Sequence, residues 1–466
     1  MNRKPRNLIA TSLLLMVLSI VLLGDQIAIE AEQLPPVIPE LPQCEGRSVC
    51  PFGVVFNRWE ADEVEHYCQF PLLLINQRYQ AANMDQCPDT QFYFYYPFHD
   101  RHFYPAPFYE QDYVESHPEW FLFDVGFEGD MIHRVYDTRW PHIFKMDVNN
   151  LEYREYMKDR YQRLFYEQVP GITGIFEDGD FGGHDWTLWG RHNLSCAEGH
   201  QPDGIDRCPP HYDTAESYND FYNDAYNDLQ TSLPDIPFIS NSGYELDGLE
   251  AGAPIGETKE HTWHFHGRGA DQFYGYNEWK RHVDWFGRPE HTGKITMAMS
   301  GSSQHEPGVP DEVWRNRMME YSAGSFLLGL NPDASENLLY WHTVWWYSKP
   351  DYEDRIYSFD IGDPLGTHYI LPNAANDDEE CKPWHQKGVH TRDFSEGKVL
   401  VNPTPTCTYQ IPLNRRYKDL DGQRVRGALT LTPNTAKILL NAGPTIRRRK
   451  SVTLDRERQN TRQFRK

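Results

Sequence analysis

No CxxC pair occurs among the eight cysteines of this 466-residue chain, and the tetrahedral thiolate zinc sites that such spacing builds are disfavoured. Basic charge is also scarce. Lys and Arg together number 45 against 68 Asp and Glu, a net charge of -23, which disfavours nucleic acid and other polyanions as partners of the main body. A clean small-x-small cleavage site is missing after the apolar run Leu8 to Leu23, where Ile29-Glu30-Ala31 is the best candidate. With Arg3, Lys4 and Arg6 ahead of it, that run still has the pattern of a signal peptide or single membrane anchor. Export is expected, so the protein is secreted, periplasmic or held at the membrane, with cleavage left open.

What is present fits a large globular body. The length accommodates one barrel-sized domain and a smaller one. Aromatics reach 14%, with 28 Tyr, 24 Phe and 13 Trp. Core packing accounts for most of them, and the surplus suits a site where sugars or other flat ligands stack. Cys44, Cys50, Cys68, Cys87, Cys196, Cys208, Cys381 and Cys407 form an even set, and disulfides are the default outside the cell. Cys196 with Cys208 and Cys381 with Cys407 are plausible local pairs, but spacing leaves the connectivity open. Asn193-Leu194-Ser195 is a glycosylation sequon.

Taken in order, residues 1–31 are the export segment and the Pro-rich stretch 32–48 is a linker. Short apolar runs then recur at Gly53–Phe56, Phe70–Ile75, Gln91–Phe98, Gly174–Phe176, Phe238–Ser242, Ala253–Glu257, Lys294–Ser300 and Leu338–His342. Each has the length and bulk of a buried strand. Helical spacing runs from Leu151 through Met157, Tyr161, Leu164 and Phe165, with Asn149 and Glu152 as a capping-box-like start. Further helices are expected over Tyr218–Leu229 and Asp311–Leu328. Eight strands separated by helix-length connections predict an α/β fold, a (β/α)8 barrel over 49–392. From 393 to 445 short alternating runs and turns predict a small antiparallel β domain, and 446–466 is a basic tail without apolar periodicity.

The fourth run breaks into Glu177, Asp178 and Asp180, then Gly182-Gly183, His184 and Trp186. Acids at the end of a buried strand project from a rigid support into a cleft, where barrel and open α/β folds keep their chemistry. A polar turn, or an Asp pair holding calcium, is the competing account. His261-Thr-Trp-His-Phe-His266 offers a second signal. His264 and His266 would share one face of a strand and, with Asp178 or Asp180, could bind a transition metal. Substrate hydrogen bonding and stacking without metal is the preferred account of that cluster.

Several segments together carry a family resemblance: PEWF at 118–121, MDVNNLEYREYM at 146–157, GITGIFEDGD at 171–180, ISNSG at 239–243, PIGETKEH at 254–261, FDIGDPLG at 359–366 and EGKVLVNPTPTCTYQIPL at 396–413. The chain resembles, over roughly 50–441, the hypothetical glycosyl hydrolase families related to α-galactosidases and α-amylases. The resemblance implies a (β/α)8 barrel with a C-terminal β domain. It also implies a glycosidase without cofactor, acting on an oligo- or polysaccharide. In that superfamily the acid closing the fourth strand is the nucleophile, which falls on Asp178, and the position that looks like the proton donor is Glu257. Glycoside cleavage needs two such carboxyls, about 5–5.5 Å apart for the retaining route that the resemblance implies. Trp59, His99, Asp147, Asp180, Trp186, Asn241, His261, Trp263 and Trp341 are the expected substrate contacts. For Asp147, a helix-entry role bonded to backbone amides is the alternative. Two other classes stay in view: a metal-dependent carbohydrate deacetylase, and a non-catalytic glycan-binding barrel that uses the tryptophans and makes no demand on the carboxylates.

Overall fold

The short apolar runs become strands because most of their residues are buried on both faces, as in a parallel sheet covered by helices. In the computed structural model the central sheet contains β1 (Cys50–Pro51), β2 (Gly53–Val55), β3 (Leu72–Ile75) and β4 (Gln91–Tyr95). An excursion follows in which β5 (Asp100–His102) pairs antiparallel with β6 (Ile143–Lys145). The sheet resumes with β7 (Gly174–Glu177), β8 (Phe238–Asn241), β9 (Gly256–Lys259), β10 (Ile295–Gly301) and β11 (Glu336–His342). Its order is β1-β11-β10-β9-β8-β7-β4-β3-β2, and every pairing is parallel. β1 and β2 are two halves of one run interrupted only at Phe52, whose N–H still reaches Leu339 O. One half pairs with β11 and the other with β3.

The structure describes residues 41, 44–55, 63–76, 83–98, 100–102, 110–123, 131, 134–135, 143–177, 215–241, 256–259, 273, 275–301, 310–342, 354–371, 381 and 388–442. All belong to one unit, Glu40–Lys466. Among them no helix is long and apolar enough to cross a membrane. The export segment, most of the linker and the basic tail lie outside the described residues.

Helices α1 (Val64–Tyr67), α2 (Gln111–Glu115), α3 (Leu151–Arg163), α4 (Ala215–Ser232), α5 (Tyr276–Phe286), α6 (Asp311–Gly329) and α7 (Asp354–Tyr357) link these strands. Strand side chains alternate between the sheet's two faces. Leu73, Ile75, Phe92, Phe94, Ile175 and Phe238 share one core with Met157 and Tyr161 of α3 and Tyr226 and Leu229 of α4. Ala298, Leu339 and Trp341 share another with Trp279 and Val283 of α5 and Trp314 and Met318 of α6. The opposite face is filled by the strands' own side chains: the rings of Phe52 and Tyr340 lie 5.6 Å apart, and those of Tyr95 and Phe176 6.2 Å. Gly174 makes room there, since a Cβ would lie 2.7 Å from the Tyr93 ring and 2.3 Å from Pro237 O.

The C-terminal sheet forms as expected, with β12 (Tyr369–Ile370), β13 (His390–Phe394), β14 (Gly397–Asn402), β15 (Tyr409–Pro412), β16 (Tyr417–Lys418), β17 (Arg424–Val425), β18 (Ala428–Leu431) and β19 (Thr435–Asn441). Six of these run β12-β13-β14-β19-β16-β17, and β15 with β18 makes a separate pair. Helix α6 lies between the two sheets and is buried nearly all round from Met318 onward. Each fully buried Leu or Phe on it contributes roughly 1.5–3 kcal/mol. Contact is close: a Cβ on Gly324 would lie 2.8 Å from that of Ala436. Cys44–Cys50, Cys68–Cys87 and Cys381–Cys407 are disulfides. The last is one of the expected local pairs, and Cys196 and Cys208 lie outside the described residues.

Two local expectations are corrected. The cap of α3 is Asn150, not Asn149: its Oδ1 accepts the N–H groups of Glu152 and Tyr153 at 3.0 and 3.1 Å. The sixth strand of the sheet is described over Gly256–Lys259 and so runs past Glu257, where the sequence ended it; residues 253–255 lie outside the described residues.

Candidate active site

The carboxyl ends of parallel strands are the place to look. On the face away from the helices they carry Tyr95, Phe176, Asn241 and Tyr340, all buried. Below them Tyr93, Ile239, Met297 and Leu338 continue an apolar floor. Burial holds the Tyr93 hydroxyl well above the usual phenol range, so it stays protonated.

β7 supplies the most informative geometry. Ile175 belongs to the helix-side core, so Glu177 shares that side and Phe176 the other. Glu177 is fully buried, and its Oε1 accepts the Phe98 N–H at 3.0 Å. Phe98 O in turn accepts the Tyr153 hydroxyl at 2.6 Å, and Tyr96 O accepts the Tyr161 hydroxyl at 2.9 Å. Burial first, and then the nearby Glu177 charge, push the Tyr161 hydroxyl well above its ordinary range. Glu177 thus ties the ends of β4 and β7 together from the helix side. That role was not read from the sequence, where it stood only as an acid flanking Asp178.

Asp147 is nearly buried, and its Oδ1 accepts the Asn149 N–H at 3.0 Å while its own N–H bonds Trp120 O. This is the helix-entry alternative, a turn that sets Asn150 in place to cap α3. Trp341 is fully buried in the helix-side core, and its backbone N–H donates to the Tyr357 hydroxyl at 3.1 Å. It offers no stacking surface to a ligand, which corrects the expectation of a substrate contact there. Asn241 closes β8 on the face away from the helices, where Ile239 also lies. Glu257 is in register with Ser240 and with Thr296, and Thr296 shares a side with Ala298 of the helix-side core.

Trp59, His99, Asp178, Asp180, Trp186, His261 and Trp263 lie outside the described residues, as do His264 and His266. Among the described residues no group of three or more His, Cys, Asp and Glu could hold a metal ion. The aromatic floor was legible in Gln91–Tyr95, where alternation gives Tyr93 and Tyr95 one face.

No curated protein matches the chain. Among solved structures, the glycoside hydrolase domain of PelA from Pseudomonas aeruginosa is 13% identical, covering 66% of this chain and 98% of its own at a TM-score of 0.41. An α-amylase from Lactobacillus plantarum is 10% identical, covering 85% and 99% at 0.43. The noncanonic maltogenic α-amylase AmyB from Thermotoga neapolitana is 10% identical, covering 84% and 97% at 0.42. Likenesses at this level do not place a residue. Residues 88–398, more than half of the chain, match one family directly. On that match the chain is a glycosidase of open specificity and belongs to hypothetical glycosyl hydrolase family 15.

Proposed function

We propose that the protein is an exported glycosidase that cleaves O-glycosidic bonds of an oligo- or polysaccharide by a two-carboxylate, retaining route. In this reading Asp178 is the nucleophile, at the mouth of a (β/α)8 barrel. Closure of the sheet is supported by the two halves of its first run, which pair with β11 on one side and β3 on the other. It is also supported by register. From Ile239 the partners are Gly256, Ile295 and Glu336; carried on through Cys50↔Leu338, Gly53↔Leu73, Leu73↔Phe92, Tyr93↔Gly174 and Ile175↔Phe238, the path returns eight residues before Ile239. An offset of eight is the shear of a (β/α)8 barrel.

The observation that carries the assignment is Glu177, anchored on the helix side by the Phe98 N–H. Glu177 is thereby occupied on the helix side, which leaves the next acid of the sequence, Asp178, for the nucleophile's role. For the proton donor, the sequence selects Glu257. Export is supported by the N-terminal pattern and the three disulfides.

The test is a 4-nitrophenyl glycoside screen of the mature protein, followed by Asp178→Asn on the best substrate. Turnover should vanish, and a 2-fluoro glycoside should label Asp178. Near wild-type turnover by Asp178→Asn would exclude it and turn attention to Asp180. Glu257→Gln should slow substrates with poor leaving groups far more than activated aryl glycosides.

A further inference from the structure

The chain carries a net charge of -23, yet the hairpin of β16 and β17 reverses the sign: between Asn414 and Gly427 stand Arg415, Arg416, Lys418, Arg424 and Arg426 against Asp419 and Asp421. Lys418 is the cross-strand partner of Arg424, two like charges set directly opposite each other, which costs a sheet stability. Arg416 and Arg426 stand one position further out on the same strands, beyond the Tyr417↔Val425 pair. Side chains alternate along a strand, so these four cations share one side of the hairpin, while Tyr417 and Val425 turn into the small core of the C-terminal sheet. Arg416, Arg424 and Arg426 are exposed and Lys418 is half-buried. None of the four makes a side-chain hydrogen bond or ion pair among the described residues. The two acids of the hairpin are engaged elsewhere. Asp419 Oδ1 accepts the Asp421 and Gln423 N–H groups of the turn at 3.1 and 2.8 Å, and Asp421 pairs with Arg355 of α7 at 2.9 Å.

The fold gains nothing from four neighbouring cations that repel one another and pair with no acid. To a carboxylate or sulfate they offer several charged donors at once, three of them guanidinium forks. What this side lacks narrows the partner. None of the exposed large apolar side chains among the described residues lies on the hairpin, so it has neither the anchor that a bilayer takes up nor the platform on which unpaired bases stack. A sugar polymer bearing carboxylate or sulfate groups asks only for charge and hydrogen-bond donors, and glycans are the substrate class of this family. We propose that this side of the hairpin is a binding surface for an anionic polysaccharide, holding the enzyme on the polymer through Arg416, Lys418, Arg424 and Arg426. The surface is independent of which carboxylates carry out hydrolysis.

Binding of the full chain to immobilised polygalacturonate, dextran sulfate and neutral dextran tests this. Wild type should bind a charged polymer and not neutral dextran, with affinity falling as salt rises. Arg424→Gln should weaken binding about fivefold and Lys418→Gln with Arg424→Gln about 25-fold, as expected for cations at an anionic surface. Lys158→Gln removes one cation from α3 and should change nothing, which separates the hairpin from net charge. The basic segment 446–466 is common to every variant and cancels from the ratios. Lys418→Glu sets an acid opposite Arg424; it should lose binding while unfolding at a urea midpoint no lower than that of wild type, the reverse of what a structural lysine would give. Wild type bound by neither charged polymer, or a Kd unchanged in the Lys418→Gln and Arg424→Gln double variant, would overturn the proposal. So would tighter binding to phosphatidylglycerol vesicles or to single-stranded DNA that the same variants abolish, since the surface would then serve a membrane or a nucleic acid.

Discussion

Acidification should loosen the join between α5 and the C-terminal sheet through one imidazole, His390. Its ring is 1% exposed, with Nε2 2.9 Å from the Tyr276 hydroxyl and Nδ1 3.3 Å from Nδ1 of His368. His368 Nε2 lies 3.0 Å from Oδ1 of Asp284, whose other oxygen pairs with Lys280. One consistent chain of donors satisfies all of them. The Tyr276 hydroxyl donates to His390 Nε2, His390 Nδ1–H to His368 Nδ1, and His368 Nε2–H to the Asp284 carboxylate. A second proton on His390 would leave its Nε2–H facing the Tyr276 hydroxyl inside a cage closed by Trp279. Burial first, then the nearby His368 and Lys280 charges, hold the His390 pKa down to about 3, with Asp284 offsetting part of this.

For a base whose folded pKa is depressed, the unfolded chain takes up a proton that the folded one refuses. The loss begins as pH falls below the ordinary value of 6.5 and continues down to about 3. At about 1.4 kcal/mol per pH unit, His390 alone removes about 3 kcal/mol between pH 7.5 and 4.5. His390→Gln takes this titration away. At pH 7.5 the variant should be less stable than wild type by roughly 1–2 kcal/mol, because the relay loses its fit. By pH 4.5 the order should reverse. Urea denaturation of both proteins from pH 7.5 to 4.5 reads the difference, and every carboxylate common to both cancels from it. A stability difference that stays constant across that range would refute a neutral, buried His390.

Three other outcomes are expected. Arg392 donates through Nη1 to the carbonyls of Leu327, Leu328 and Leu330 at the end of α6, and through Nε to Gly366 O; Arg392→Met should cost roughly 2–4 kcal/mol by denaturant midpoint, and Arg392→Lys should recover little, since an ammonium cannot fork across these acceptors. Replacing Cys381 and Cys407 by serine opens a loop of 26 residues and should cost about 3.5 kcal/mol on chain entropy, against about 2 kcal/mol for Cys44 with Cys50 at a separation of 6, read as the drop in unfolding free energy. Turnover of the best aryl glycoside should survive EDTA; activity lost to the chelator and restored only by one metal ion per chain would promote the metal-dependent deacetylase class over the glycosidase mechanism.

Much of the fold was legible because burial is written into residue type. Leu72–Ile75 and Gln91–Tyr95 are strands on apolar content alone, and both take their places in the sheet. The helix at Leu151 follows from its spacing, with only its cap displaced by one residue. What failed needed knowledge of a neighbour. Trp341 stands near a strand end, as a sugar platform would. Its parity nevertheless puts it with Leu339 among Ile356, Tyr357 and α6, elements distant in sequence.

Glu257 lies in Gly256–Lys259, whose pairing through Ile295↔Gly256 and Ile239↔Gly256 no property of the Gly-Glu-Thr-Lys stretch announces, and a shift of one residue would exchange the two faces of such a strand. Glu177 shows what such parity decides. Composition makes it interchangeable with its neighbour Asp178, whereas Ile175 in the helix-side core and the Phe98 N–H on its carboxylate turn Glu177 toward the helices, where it holds two strand ends together.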